Sequence, residues 1–298
     1  MRTKSCAIAI AVLVFAIGGS AAAWAQDTAP KLTVDVTADR HPISPDIYGM
    51  AYPDPVLAAE IHLPMNRWGG DATTRYNWLI DRTNSGDDCY FISFGSDQSV
   101  PSGGPDELVA RAKADGGRVL LTIPIIDYLD KAVATDCTFP VSIFGPQQKV
   151  FPYVHPIVDG KATDAGNGRT PDGKPITPTP DQILRVHVSN TPEIQRGWVE
   201  HLVQKFGKAA DGGVPFYEMD NEPDGWNNTH RDIHPGKTGH DELVNATLKY
   251  AAAVKDADPT AQVLGPGGFL LHYQNDGAPG DGKTEHGGLG QATYYLQQ

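Results

Sequence analysis

The densest chemistry in the chain lies in Met219-Asp220-Asn221-Glu222-Pro223. These residues close Phe216 to Asp220, a run that reads as a β-strand, and alternation would put Glu218, Asp220 and Glu222 on one face. Converging carboxyls repel one another, which raises at least one pKa and keeps a proton in place near neutral pH. Protonating a leaving oxygen needs such a group, so Glu222 is the candidate general acid/base. The same tripeptide Asn-Glu-Pro also describes a loop glutamate before a turn proline, and the strand context brings the two readings level. A second block, Arg67-Trp68-Gly69-Gly70-Asp71 with Thr74-Arg75-Tyr76-Asn77-Trp78, offers the binding half. Arginine presents a rigid fork that holds a carboxylate ionised, and tryptophan presents a flat face. Arg67, Trp68, Asp71, Arg75, Asn77 and Trp78 are therefore candidate substrate contacts, as is Trp226 in a polar loop beyond Pro223. The plainer alternative is an arginine paired with a framework aspartate and tryptophans that fill the core.

Other groupings are weaker. His230, His234 and His240 cluster in sequence, but Pro235 and Gly236 make the stretch a loop, without the helical spacing of zinc motifs. Asp159, Asp164, Asn167 and Asp172 could supply oxygens to a structural calcium, although their spacing is not that of an EF-hand. No cofactor is required. Ser142 and Ser189 lack nucleophile-elbow surroundings, and no glycine-rich phosphate loop occurs in the right context.

Strands are expected at Ile47 to Ala51, Leu63 to Trp68, Arg118 to Ile126, Phe216 to Asp220 and Gln262 to Gly265. Helices are expected at Pro105 to Asp115, Pro192 to Ala210, Glu242 to Asp256 and Gly288 to Gln298. Strands alternating with helices are the βα rhythm of a parallel α/β fold. In the helix from Pro192, the apolar stripe makes Trp198 a core residue. Asp127 to Thr191 reads as a long ordered loop anchored by Phe139, Ile143, Phe144, Phe151 and Tyr153. With 32 Gly and 24 Pro, the composition favours long loops over a helical bundle.

Residues 1–25 carry the pattern of a secretory signal: Arg2 and Lys4, an apolar run, then Ala23-Trp24-Ala25. The apolar run is too short to span a bilayer. With 36 acidic and 24 basic residues, the chain has a formal charge of −12, which argues against nucleic-acid binding and adhesion to anionic membranes. Cys6 leaves with the signal, so Cys89 and Cys137 are expected to pair in an oxidising compartment, two buried thiols being the alternative.

Assembled, these residues resemble glycoside hydrolase family 44, retaining endo-β-1,4-glucanases and xyloglucanases of the Asn-Glu-Pro barrel clan. The resemblance rests on Ile47-Tyr48-Gly49-Met50, Arg67-Trp68-Gly69-Gly70, Thr73-Thr74-Arg75-Tyr76-Asn77-Trp78, Asp220-Asn221-Glu222-Pro223, Thr229 to Pro235 and Gly265-Pro266-Gly267. It implies a (β/α)₈ TIM-type barrel joined to a β-sandwich, with residues 26–46 giving a sandwich strand and 47–298 a partial barrel of about five βα units. It further implies Glu222 as acid/base, Asn221 as partner of the sugar 2-hydroxyl and Arg67 as the residue that steers the nucleophile. That nucleophile, a glutamate on the seventh strand, has no counterpart; Glu285, the last glutamate, sits in a loop setting. The expectation is an N-terminal part of a secreted, monomeric enzyme acting on cellulose or xyloglucan, inactive by itself. The alternatives are an exported glycan-binding protein and a clan relative acting on mannan or xylan.

Overall fold

A computed structural model of the chain describes residues 32–95, 100–131, 136–151, 164–268 and 276–298. The signal segment 1–25 lies outside the described residues. The chain divides into two units, residues 1–42 and 43–298. In the first, residues 32–42 form no strand, although Leu32, Val34 and Val36 alternate as a strand should. All three side chains are exposed. Alternation specifies a face, and a strand also needs a neighbour to complete its backbone hydrogen bonds.

The second unit opens with a single 3₁₀ turn, Pro45–Ile47, and then β1 (Gly49–Ala51), α1 (Pro55–Glu60) and β2 (Met65–Trp68). An excursion follows, through β3 (Arg82–Asn84) and β4 (Ile92–Gly95), before α2 (Gly103–Ala114) and β5 (Arg118–Ile123). The long connection carries β6 (Tyr128–Asp130), β7 (Asp136–Cys137), α3 (Val141–Phe144), α4 (Pro180–Val186) and β8 (His187–Ser189). Beyond it come α5 (Pro192–Phe206), β9 (Phe216–Met219), α6 (Trp226–Thr229), α7 (His240–Ala257) and β10 (Gln262–Leu264). The short β11 (Gly277–Ala278), β12 (Asp281–Gly282) and α8 (Gln291–Tyr295) end the described chain.

β1, β2, β5, β9 and β10 form one parallel sheet in that order, and a helix separates each consecutive pair in the chain. The five expected strands are thus the five observed, which makes the unit α/β with a parallel sheet. Alternation along β5 explains its packing. Val119, Leu121 and Ile123 point into the main core with Val109 of α2, Trp198 and Leu202 of α5, and Val254 of α7. Thr122 takes the opposite face and pairs across with Glu218. Burying side chains of this size stabilises by about 1.5–3 kcal/mol each, so the core is set by the faces of α2, α5 and α7.

The long connection is ordered where it is described. Phe139 and Phe151 are buried as anchors, β7 extends an antiparallel β3–β4–β7 sheet, and β6 pairs with β8. Ile143 is exposed, contrary to its expected anchoring role, and Tyr153 lies outside the described residues. The expected Cys89–Cys137 disulfide is absent. Cys137 is a buried free thiol in β7, registered opposite Ile92, while Cys89 is a free thiol in the turn Gly86–Cys89. Burial pushes both thiols up, Cys137 to about 12, which leaves them protonated and poor nucleophiles.

Candidate active site

A parallel sheet brings the carboxyl ends of its strands to one side, so residues just past Ala51, Trp68, Ile123, Met219 and Leu264 share one rim. Arg67, on the face opposite the helices, reaches across β5 to Glu218. Its Nε and Nη2 both donate to Glu218 Oε2, at 3.1 and 2.7 Å, and Thr122 Oγ1 donates to the same oxygen at 3.0 Å. Two glycines make room for this pair. A Cβ on Gly69 would sit 2.4 Å from the Arg67 guanidinium carbon, and one on Gly267 would sit 2.8 Å from Glu218 Oε1.

Arg67 Nη2 also donates to Asn221 Oδ1 at 3.0 Å. Because a guanidinium can only donate, this fixes the amide: its oxygen faces Arg67 and its NH₂ is left for another acceptor. Asn221 bridges in parallel fashion to Gly267, and Glu222 N donates to Gly267 O at 2.7 Å. The turn after β10 therefore holds the loop after β9 at the rim.

The expected convergence of Glu218, Asp220 and Glu222 does not occur. The strand ends at Met219, and Asp220 and Glu222 take φ of 69° and 47°, which breaks the alternation. Glu218 goes to Arg67. Asp220, fully buried, turns to the loop after β5, where the amides of Ile125 and Ile126 donate to Oδ2 at 2.7 and 3.2 Å. Burial pushes the Asp220 carboxyl up to about 7, against the pull of those donors. Glu222 alone is partly open. Burial pushes its carboxyl up, the carboxylates of Asp224, Asp71 and Asp88 push the same way, and Arg67 opposes them. The outcome expected for the site, a carboxyl that keeps its proton at higher pH, is met by a different set of neighbours.

Several expected contacts are framework residues instead. Arg75 is fully buried and donates to Asp232 through two parallel bonds of 2.8 and 2.6 Å, to His187 Nε2 at 3.0 Å and to His230 Nδ1 at 2.9 Å. No substrate reaches it. Asn77 is buried on Asp130 O at 2.7 Å, and Trp78 packs on the core with Nε1 donating to Ile194 O at 2.9 Å. Trp226 does not line a cleft: α6 folds it into the core, where it is 3% exposed and meets the His234 ring edge-on. Trp68 packs edge-on between Tyr52 and Tyr76, with centroids 5.2 and 5.4 Å away. Asp71 remains half-buried at the rim, its Oδ1 2.9 Å from His230 Nε2. Tyr52, Asp88 and Tyr90, which line a groove with Asp71, were missed; Tyr48-Gly49-Met50-Ala51-Tyr52 shows an aromatic at a strand end, the one sequence signal for them.

The three clustered histidines separate. His230 serves Arg75, His234 lies 2.8 Å from Glu242, and His240 reaches Leu289 O. Of the calcium candidates, Asp164 accepts from Ser142 and Asn167 from Lys149, 22 and 18 positions away, and Asp172 accepts from Thr170 within a turn, three separate partners, while Asp159 lies outside the described residues. Among the described residues, one group with metal-ligand spacing is Asp241, Asp281 and His286. Hydrogen bonds account for it: Asp281 caps the first turn of α7 through the amides of Asp241 and Glu242, and His286 and Tyr294 complete the ring.

The fold has counterparts among solved structures. CelM2, a bifunctional glucanase-xylanase protein from a metagenome library, superposes with a TM-score of 0.73 at 33% identity, over 86% of this chain and 48% of that one. A Paenibacillus polymyxa xyloglucanase of family 44, solved with xyloglucan, gives 0.62 at 26% identity, over 86% and 48%. Endoglucanase A of Paenibacillus lautus is 26% identical over 271 residues, 89% of this chain and 36% of its own length. Beta-mannanase/endoglucanase A of Caldicellulosiruptor saccharolyticus is 26% identical over 293 residues, 90% of this chain and 19% of its own. The chain thus spans about half the length of the structures and less of the curated relatives. Residues 82–298 match the model of glycoside hydrolase family 44, and the chain belongs to that family.

Proposed function

We propose that this chain is the acid/base part of a secreted, monomeric, retaining endo-β-1,4-glucanase acting on cellulose- or xyloglucan-type glucan. The observation that carries the reading is Glu222, just past the carboxyl end of β9 on the rim, the partly open carboxyl beside Asn221, with burial, Asp224, Asp71 and Asp88 pushing it up. Beside it, Asn221 is fixed by Arg67 with its NH₂ free to meet a sugar 2-hydroxyl.

In this reading Glu222 gives its proton to the glycosidic oxygen as a second carboxylate attacks the anomeric carbon and the glycosidic bond breaks. Water then enters, Glu222 takes its proton, and the sugar leaves the second carboxylate with its configuration retained. Retaining chemistry sets the two carboxyls about 5–5.5 Å apart. The resemblance puts the second on a seventh barrel strand, and the described parallel sheet has five strands. Glu285, engaged with the Gly282 amide in a turn, is a poor substitute. We therefore place the nucleophile, the remaining barrel strands and the strands that would pair with residues 26–46 outside these 298 residues.

Two measurements test this. The 298-residue chain incubated with a chromogenic cello-oligosaccharide should give no turnover; turnover abolished by Glu222→Gln would overturn the placement of the nucleophile. A protein extended in its reading frame to the length of the family structures should hydrolyse the substrate, and lose at least a thousandfold with Glu222→Gln. Undiminished activity of that variant would overturn the acid/base assignment. The mannanase and glucanase-xylanase names of two relatives favour a second reading, activity on mannan or xylan, which the same extended protein would reveal on a substrate panel. Among the described residues no helix is long and apolar enough to cross a membrane. Export predicts a mature protein that begins at Gln26.

A further inference from the structure

The start of α7 carries a constellation that the proposed reaction does not use. Three segments meet there: Asp241 in the first turn of α7, Asp281 in β12, and His286 in the turn that follows. One ligand atom from each, two carboxylate oxygens and an imidazole nitrogen, lies within 4.8 Å of the others. The hydrogen-bonded ring around them contains one replaceable proton and leaves one oxygen over. Asp241 Oδ1 accepts from the Tyr294 hydroxyl at 2.5 Å, and Asp241 Oδ2 stands 3.9 Å from His286 Nε2, too far for a hydrogen bond. Asp281 Oδ1 accepts from the Asp241 amide and from His286 Nε2, both at 2.9 Å. A carboxylate oxygen has two lone pairs. An ion in place of the Nε2 proton therefore leaves the amide bond, and with it the cap on α7, intact.

The three donors are held in position by their surroundings. The His286 ring packs on Tyr294 at 4.3 Å and lies nearly parallel to His240 at 5.2 Å. Gly239 lets the Asp281 carboxylate close on the start of α7, where a Cβ would collide with it. The neighbouring ligand-type groups are engaged elsewhere: Glu242 with His234 and the Gly239 amide, and His240 Nε2 with Leu289 O. The amino end of α7 opposes a cation with about half an elementary charge, which two carboxylates outweigh. Imidazole together with carboxylates suits zinc and its transition-metal neighbours, whereas calcium and magnesium take oxygen ligands.

We propose that Asp241, Asp281 and His286 form a structural site for a divalent transition-metal ion of the zinc class, with water completing its shell. His286 ligates through Nε2, its own proton moving to Nδ1, and Tyr294 orients Asp241 from behind. The bound ion clamps the loop after β10, which carries Asp281 and His286, to the first turn of α7. No step of the hydrolase reaction passes through this site, and the hydrolase reading stands or falls without it.

The test is calorimetric titration of the untagged, metal-free whole chain with zinc chloride and, separately, with calcium chloride. Wild type should bind a single zinc ion, about tenfold or more tightly than calcium. His286→Gln and Asp241→Asn should each weaken zinc binding by about tenfold or more, and Tyr294→Phe, which removes the donor to Asp241, by about tenfold. His41→Gln, at an exposed histidine of the first unit, should change nothing. Zinc should also raise the thermal unfolding midpoint of wild type and leave that of His286→Gln where it is, which separates loss of the ion from loss of the fold. The proposal falls if wild type takes up no zinc, if His286→Gln or Asp241→Asn binds it as wild type does, or if calcium binds as tightly as zinc. The hydrolase reading is judged separately, by turnover of the extended protein and its Glu222→Gln variant.

Discussion

Two arginines eight residues apart, Arg67 and Arg75, each hold a carboxylate from more than 150 positions away, and they do opposite things. Arg75 and Asp232 are sealed, both side chains 0% exposed, while the Arg67 and Glu218 side chains are 26% and 11% exposed. Around Arg75 the hydrogen bonds close on one another. His187 accepts from Arg75 at Nε2, so its proton sits on Nδ1 and goes to Ile183 O. His230 accepts at Nδ1, so its proton sits on Nε2, toward Asp71. Four of the five guanidinium protons are used, and Thr138 completes the set on Asp232. Around Arg67 the bonds leave donors over, its own Nη1 and the Asn221 NH₂ beside Glu222. A closed array builds a framework, and an array with open donors at a rim can meet a ligand.

Breaking the arginines separates the two roles. Arg75→Met leaves the Asp232 carboxylate and two histidines buried without their partner, so it should lower unfolding stability by about 3–5 kcal/mol. Arg67→Met, at a half-open pair, should cost about 1–2 kcal/mol. Denaturant unfolding of the two variants checks the ranking, and equal losses would remove the distinction.

Acid should act on the closed array in two stages. Burial and the Arg75 charge push His187 down to about 4, so the folded state binds fewer protons than the unfolded one, and stability should fall as pH drops from about 6.5 to 4. Burial alone would raise Asp232, but the Arg75 charge and hydrogen bonds overcome it and bring the carboxyl down to about 2. Its contribution is complete above the unfolded value near 3.8 and is lost as pH falls toward 2. His230, pushed down by the same burial and Arg75 charge, shares the first stage, and Asp220, held up to about 7, acts in the opposite sense there. Unfolding of His187→Gln set against wild type from pH 7 to 2 isolates the His187 part: the variant should weaken the first stage and alter the second far less.

The contrast also explains what could be read in advance. The sheet strands and helices were legible because apolar periodicity is local: Val119-Leu120-Leu121 and the Trp198 stripe each declare a buried face within a few residues. The antiparallel β3–β4–β7 sheet was not, since Arg82-Thr83-Asn84 is a polar triplet whose burial depends on distant partners. Arg75 and Asn77 looked like binding residues for the same reason. Their partners lie 53 to 157 positions away, and nothing near them in the chain says whether they face water or the interior. Trp226 was misplaced because its neighbours are polar, whereas α6 turns that one side chain inward. The position of Glu222 just past β9 was legible, and its electrostatic neighbours were not, because positive φ at Asp220 and Glu222 undoes the strand alternation.

The account rests most heavily on Glu222 being a carboxyl that holds its proton. Carbon-13 NMR titration of the glutamate side-chain carboxyls, with Glu222→Gln identifying the resonance, measures this in the chain as it stands. Glu222 should titrate above the ordinary glutamate value of 4.5, and move down in Asp71→Asn/Asp88→Asn as two repelling charges are removed. A Glu222 that titrates at or below 4.5, or does not move in that double variant, would contradict the assignment.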